Sequence, residues 1–300
     1  MRILLVLLPV AAALAQGIPG VVAPDAKVEL VQEGFVFTEG PVGTADGGLY
    51  FSDLQAGDKT YRMDPSGKIS VYRNHTSGTN GLALTRDGTL VGAEGDGKRI
   101  SKVGPGGATA TRTAGIAGMP LMAPNDLIVD SKGGLYFTDP GPRPLVAGRK
   151  AYVYYLPAGA GEPRIVDDRI TRPNGLTLTA NGKTLIVDDT VGDTVFAFDV
   201  QADGSVKNRR PFAHMHDAQA NGESGADGMA IDRQDRIYVT SFTGVQVFDR
   251  KGQYRGTIQI PRQPANVAFA GLGKKTLYIT AREGLYRLPM LSQGPQRLGK

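Results

Sequence analysis

One phrase recurs six times along this chain, and it constrains the fold more than any other feature. Each copy opens on an acidic or amide residue followed by a small residue or a second acid. An alternating apolar run, a turn and a second apolar strand closing in Asp, Thr or Ser follow. The third copy is typical: Asn125-Asp126-Leu127-Ile128-Val129, then Gly133-Gly134-Leu135-Tyr136-Phe137-Thr138-Asp139. The lead residues are Glu39, Asn80, Asn125, Asn174, Asp227 and Asn266, spaced by 41, 45, 49, 53 and 39 residues. Period-two alternation, as in Leu82 and Leu84 or Met229 and Ile231, marks half-buried strands. Asp87-Gly88 and Asn181-Gly182 are hairpin dipeptides. A second hairpin lies between copies, for example Tyr61–Asp64 into Ile69–Tyr72 through Pro65-Ser66-Gly67.

Four strands per unit and units of 40–50 residues are the signature of propeller blades. The chain therefore reads as all-β: one six-bladed β-propeller of four-stranded antiparallel blades over residues 16–300. The 41 Gly and 19 Pro supply the turns. The last repeat lacks an outer strand, and Lys27-Val28-Glu29-Leu30-Val31 has strand character. That segment is expected to pair into the sixth blade and close the ring, removing an exposed edge.

Met1-Arg2, an apolar stretch from Ile3 to Ala15 and the ending Ala13-Leu14-Ala15 read as a signal peptide cleaved after Ala15. The expectation is a secreted or periplasmic, membrane-free protein. The net charge of +5 comes from scattered cations; the clusters Lys207–Arg210 and Lys274-Lys275 sit beside turns. No basic stripe with interleaved aromatics is present, which argues against nucleic-acid binding.

Repeat-equivalent positions on the innermost strands fall on one ring around the channel. A single Asn or Asp before Gly usually caps a turn, but here six oxygen-bearing side chains converge. Two of them, Glu39 and Asp227, are carboxylates. With no Cys in the chain, carboxylate and amide oxygens make a cradle for a hard divalent cation, calcium first, with zinc or manganese as alternatives. Other constellations are weaker. Gly222-Glu223-Ser224-Gly225-Ala226 lacks the last Gly and the strand–turn–helix frame of a nucleophile elbow. His214, His216 and Asp217 read as a surface or rim loop, and His75 as plain loop.

Five motifs in order carry a resemblance to a known family. They are Thr38-Glu39-Gly40-Pro41, Pro124-Asn125-Asp126-Leu127, Arg172-Pro173-Asn174-Gly175-Leu176, Ala226-Asp227-Gly228-Met229 and Pro264-Ala265-Asn266-Val267. The sequence resembles the senescence marker protein, gluconolactonase and luciferin-regenerating enzyme family over residues 27 to 290. The resemblance implies a six-bladed propeller that hydrolyses a lactone with a divalent metal. It implies that Glu39, Asn174 and Asp227 ligate the metal and that Asp227 also acts as the base. Asn125, with Asp126 beside it, corresponds to a substrate contact, which in some members ligates the metal. Asn80 and Asn266 line the channel without a family role. Gly43, Gly95 after Glu94, and Ala123 depart from common family residues, so the resemblance does not extend to a particular lactone. The expected enzyme is a monomer acting on a small lactone or ester. A phosphotriesterase-like or aryl-esterase activity and a non-catalytic ligand-binding propeller are the alternatives.

Overall fold

The computed structural model describes residues 17–104, 108–159 and 161–297; the expected leader, residues 1–15, lies outside the described residues. Among the described residues, six antiparallel four-stranded sheets form, one per repeat. Blade 1 runs through Thr38–Gly43, Leu49–Asp53, Lys59–Met63 and Ile69–Asn74. Blade 2 comprises Thr79–Leu84, Leu90–Glu94, Arg99–Val103 and Thr109–Thr113. Blade 3 follows with Leu127–Val129, Leu135–Asp139, Tyr152–Leu156 and Arg164–Asp167. Pro173–Leu178, Thr184–Asp189, Thr194–Val200 and Val206–His214 build blade 4. Met229–Ile231, Ile237–Ser241, Gly244–Phe248 and Tyr254–Ile258 build blade 5. The first strands of successive blades contact one another around the ring, so they line the axis.

Blade 6 has Asn266–Ala270, Thr276–Ala281 and Gly284–Pro289 from the C-terminal part of the chain. Its outermost strand is Glu29–Glu33, paired antiparallel to Gly284–Pro289 with Leu30 opposite Tyr286. The expected closure is therefore present, with the strand two residues further along than Lys27–Val31. Val28 turns into the core ahead of it. An ion pair of 2.8 Å between Arg287 and Glu29 spans the seam.

Apolar packing is organised between blades rather than at one centre. Phe35, just ahead of blade 1, and Leu49 and Phe51 within it pack on Ala270 and Tyr278 of blade 6. Val42 meets Leu82 and Leu90 of blade 2. Ala83, Val91 and Ile100 meet Leu127, Leu135 and Phe137 of blade 3. The remaining clusters join blades 3 to 4, 4 to 5 and 5 to 6. Each blade is thus half of two hydrophobic layers, and an open ring would leave one layer wet.

Both ends of the chain reinforce this ring. Ile18, Val21 and Val22 join the layer between blades 5 and 6. The C-terminal segment crosses the far end of the channel, where Arg297 donates to the carbonyl oxygens of Thr179 at 2.9 Å and Leu178 at 2.5 Å. Because Ile18 is only 3% exposed, Ile18→Ala is expected to lower unfolding stability by about 2–4 kcal/mol. Val36→Ala, at a half-exposed position, is expected to change it by less than about 0.5 kcal/mol. Urea denaturation of both variants checks the pair.

Candidate active site

Two local devices bring the lead residues to one end of the channel. The first is the β-bulge, which adds a residue and re-aims side chains. Pairing of the first two strands slips between Glu39 and Val42, between Thr79 and Leu82, and between Pro173 and Leu176. Glu39, Asn80 and Asn174 each lie within such a slip. Asn125 and Asp227 instead lie just before the short first strands of blades 3 and 5.

The second device uses the acids that close the second strands. Asp53 accepts from the backbone N–H of Val36 and Phe37. Asp139 does the same for Met122 and Ala123, and Asp189 for Thr171 and Arg172. Each carboxylate thereby fixes the loop that enters the first strand of its own blade. In blade 2 Glu94 takes this place but binds Arg73 at 2.9 Å and Arg99 at 2.5 Å, a buried brace. These acids shape the ring rather than line it.

Around the axis the lead residues form a chain of contacts from blade to blade. A Cβ on Gly40, whose φ is +49°, would stand 2.1 Å from the Asn80 carbonyl oxygen. Gly81 N–H donates to the Asn125 carbonyl oxygen at 2.8 Å. Thr138 Oγ1 donates to the Asn174 carbonyl oxygen at 2.8 Å. A Cβ on Gly175 would lie 1.9 Å from the Asp227 carbonyl oxygen. Gly228 faces the Asn266 side chain, and Asn266 Nδ2 donates to Glu39 Oε2 at 2.9 Å. The structure therefore brings Glu39, Asn80, Asn125, Asn174, Asp227 and Asn266 into one ring.

The polar atoms of this ring are unevenly satisfied. Glu39 is buried and also accepts from the Gly40 N–H at 2.8 Å. Asn174 is 8% exposed, yet its Oδ1 has no hydrogen-bond donor, and neither does the buried Oδ1 of Asn80. Buried acceptors left without donors are costly, and oxygen atoms in that condition suit a cation. Among the described residues no three His, Asp or Glu side chains form such a site alone. Amide oxygens must complete the set, and Asn174, in the same ring as Asp227 and Glu39, offers one.

Asn125 is half-buried. Asp126 is fully buried, with Oδ1 accepting from the Leu127 N–H at 2.9 Å. Of that pair only Asn125 keeps solvent exposure. Ser224 is spent on a 2.7 Å bond to the Gly192 carbonyl oxygen, against a nucleophilic role. His214 ends an outer strand beside Asp193, while His216 stacks on Tyr254 with 3.8 Å between ring centroids. The two histidines serve different partners at an exposed edge.

Two residues that the lead pattern did not single out belong to this end of the channel. Asp188 occupies the second-strand position where Ser52 and Thr138 donate to the carbonyl oxygens of Asn80 and Asn174. It is fully buried; Oδ1 accepts from the Gly175 N–H, and Oδ2 has no partner. Burial, then the charges of Asp227, Asp189 and Asp126, push its carboxyl well above the usual range. The signal was an acid where sister blades carry a hydroxyl. Arg172 is half-buried before Pro173-Asn174, and it donates to the carbonyl oxygens of Gly141 at 3.2 Å and Pro142 at 3.4 Å. Burial and then Arg143 lower it to about 10, while Asp227 acts the other way.

A family model described as the SMP-30/gluconolactonase/LRE-like region matches residues 37–283. The chain belongs to this family. A gluconolactonase of Zymomonas mobilis is 26% identical over 292 residues, covering 87% of this chain and 80% of the relative. A pentonolactonase of Haloferax volcanii is 28% identical over 252 residues, covering 82% and 81%. The solved structure of a gluconolactonase from Xanthomonas campestris superposes with a TM-score of 0.79 at 30% identity, covering 89% of this chain and 90% of that one. The matched region of this family member holds all six lead residues, and the propeller is the shared scaffold.

Gly175→Ala is expected to force blades 4 and 5 apart and lower stability by about 3 kcal/mol. Asp188→Thr restores the hydroxyl of the sister blades and removes an unpartnered buried oxygen. Its expected effect in cation-free buffer is a gain of about 1–2 kcal/mol. Urea unfolding of the two variants reads both signs.

Proposed function

We propose that the protein is a secreted, cation-dependent lactonase that opens a small cyclic ester to its hydroxy acid. The observation that carries this reading is the donorless Asn174 Oδ1 in a ring with Glu39 and Asp227. The relatives named gluconolactonase and pentonolactonase support the lactone as the substrate class. Glu39, Asn174 and Asp227 would hold the cation, and an oxygen-only donor set favours calcium. A cation in that position supplies Lewis-acid polarisation of the ester carbonyl and offsets the negative charge that develops on its oxygen.

The chain's own groups supply the remaining work. Asp227 accepts the proton of the attacking water, which is general-base catalysis. The half-buried Asn125 amide donates a hydrogen bond to a substrate oxygen and orients the ring. Asp126 lies behind it and acts through placement of the Asn125-Asp126 turn. The short basic and apolar leader ending in Ala13-Leu14-Ala15 supports export, with Gln16 as the first mature residue.

Asp227→Asn keeps an oxygen ligand but removes the base, so kcat on a hydrolysed lactone is expected to fall by about 10²–10⁴-fold. Calorimetric titration of calcium, manganese and zinc into chelated protein is expected to give one site, weakened in Glu39→Gln. Full activity in Asp227→Asn, or in protein kept in excess chelator, would overturn the mechanism. Mass spectrometry of the exported protein reads the new N-terminus.

A further inference from the structure

Two arginines stand at the site's mouth, and neither makes an ion pair among the described residues. Arg172 binds the two residues that precede Arg143. Arg172 spends one N–H of each terminal nitrogen on the Gly141 and Pro142 carbonyl oxygens. A guanidinium has five donors, so three remain for a ligand. Arg143 is exposed and makes no ion pair or hydrogen bond among the described residues.

Its loop is basic. Residues 141–150 hold Arg143, Arg149 and Lys150 and no acid. Lys150 is neutralised by Asp168 at 2.7 Å, and Arg149 donates to the Pro120 carbonyl oxygen at 2.9 Å. Of the three, Arg143 alone bonds no other group among the described residues. Position matters as much as count. Arg172 immediately precedes Pro173-Asn174, its backbone N–H is fixed by Asp189 at 3.0 Å, and Asp227 of the next blade is its other charged neighbour. The guanidinium therefore stands at the rim between the loop of blade 3 and the proton acceptor of blade 5. Two guanidinium groups at one rim are relieved by an anion that both can bind, and their planar forks match carboxylate and phosphate.

We infer that the lactone taken by this site bears an anionic group, a carboxylate or a phosphate remote from the ester, and that Arg172 and Arg143 bind it. This rests on the lactonase reading and narrows its substrate class. The anion lies at the mouth while the ester carbonyl reaches the ring of Glu39, Asn174 and Asp227. A neutral lactone of the same ring size lacks this anchor. Arg172 also ties the loop down, whereas Arg143 bonds nothing in the chain, so Arg143→Met is the cleaner variant.

The test compares kcat/KM for three probes: glucono-δ-lactone, its 6-phosphate, and the monolactone of glucaric acid. At least one anionic probe is expected to exceed the neutral one by tenfold or more. That ratio is expected to fall at least fivefold in Arg143→Met and to shrink with added salt. The phosphate and carboxylate arms separate the two anion sources. A ratio near one in the wild type, or a ratio unmoved in Arg143→Met, overturns the inference. The open acids provide a readout without turnover: gluconate 6-phosphate and glucarate are expected to bind at least tenfold more tightly than gluconate by calorimetry. If no lactone is hydrolysed, the lactonase reading falls, and this binding ratio still decides for or against the anion site.

Discussion

Six first strands can meet at one end of a narrow channel only if their backbones come nearly into contact there. Glycine after four of the six lead residues makes this possible. At Gly40 and Gly175 a side chain would overlap the carbonyl oxygen of the neighbouring blade's lead residue. Everything at the site follows from that approach. It places Asn80 beside Glu39 and Asp227 beside Asn174, and it leaves amide and carboxylate oxygens facing a shared space. It also couples site to fold, because the same contacts register the hydrophobic layers between successive blades.

Much of this was legible in the repeat. The six lead residues, the hairpins and the N-terminal closing strand follow from period-two alternation and turn chemistry, which are local. Closure by Glu29–Glu33 was readable because the sixth repeat lacks a strand that the others have. What escaped depends on comparison across blades in space. Asp188 looks like one more strand-closing acid, and only its position beside Gly175 marks it as the replacement of an interblade hydroxyl. Arg172 sits in a motif noted for Asn174, but its meaning comes from the blade 3 loop folding over it. The C-terminal crossing by Arg297 has no periodic signal, since it is one irregular segment capping strand ends. Asp126 shows the converse. Adjacent to Asn125 in sequence, it turns into the interior, where its carboxylate accepts from the Leu127 N–H that opens the strand.

The electrostatics of the channel end divide into layers. Asp126 and Asp188 are buried behind the ring, Glu39, Asn174 and Asp227 form it, and Arg172 and Arg143 crown it. Negative charge collected in a low-dielectric interior is costly without compensation. The protein offers no cationic side chain inside the ring for that purpose among the described residues, and its arginines stand at the rim. In the proposed mechanism such a gradient, acidic below and basic above, would draw a cation to the ring and orient an anionic substrate with its ester inward.

The central claim is that the ring is a cation cradle built from Glu39, Asn174 and Asp227. The most direct measurement is anomalous scattering from crystals of the protein grown with manganese. The account predicts one strong peak inside the channel, within coordination distance of oxygen atoms from all three residues. A protein that hydrolyses its lactone while the peak is missing, or while the cation sits on other residues, would contradict it.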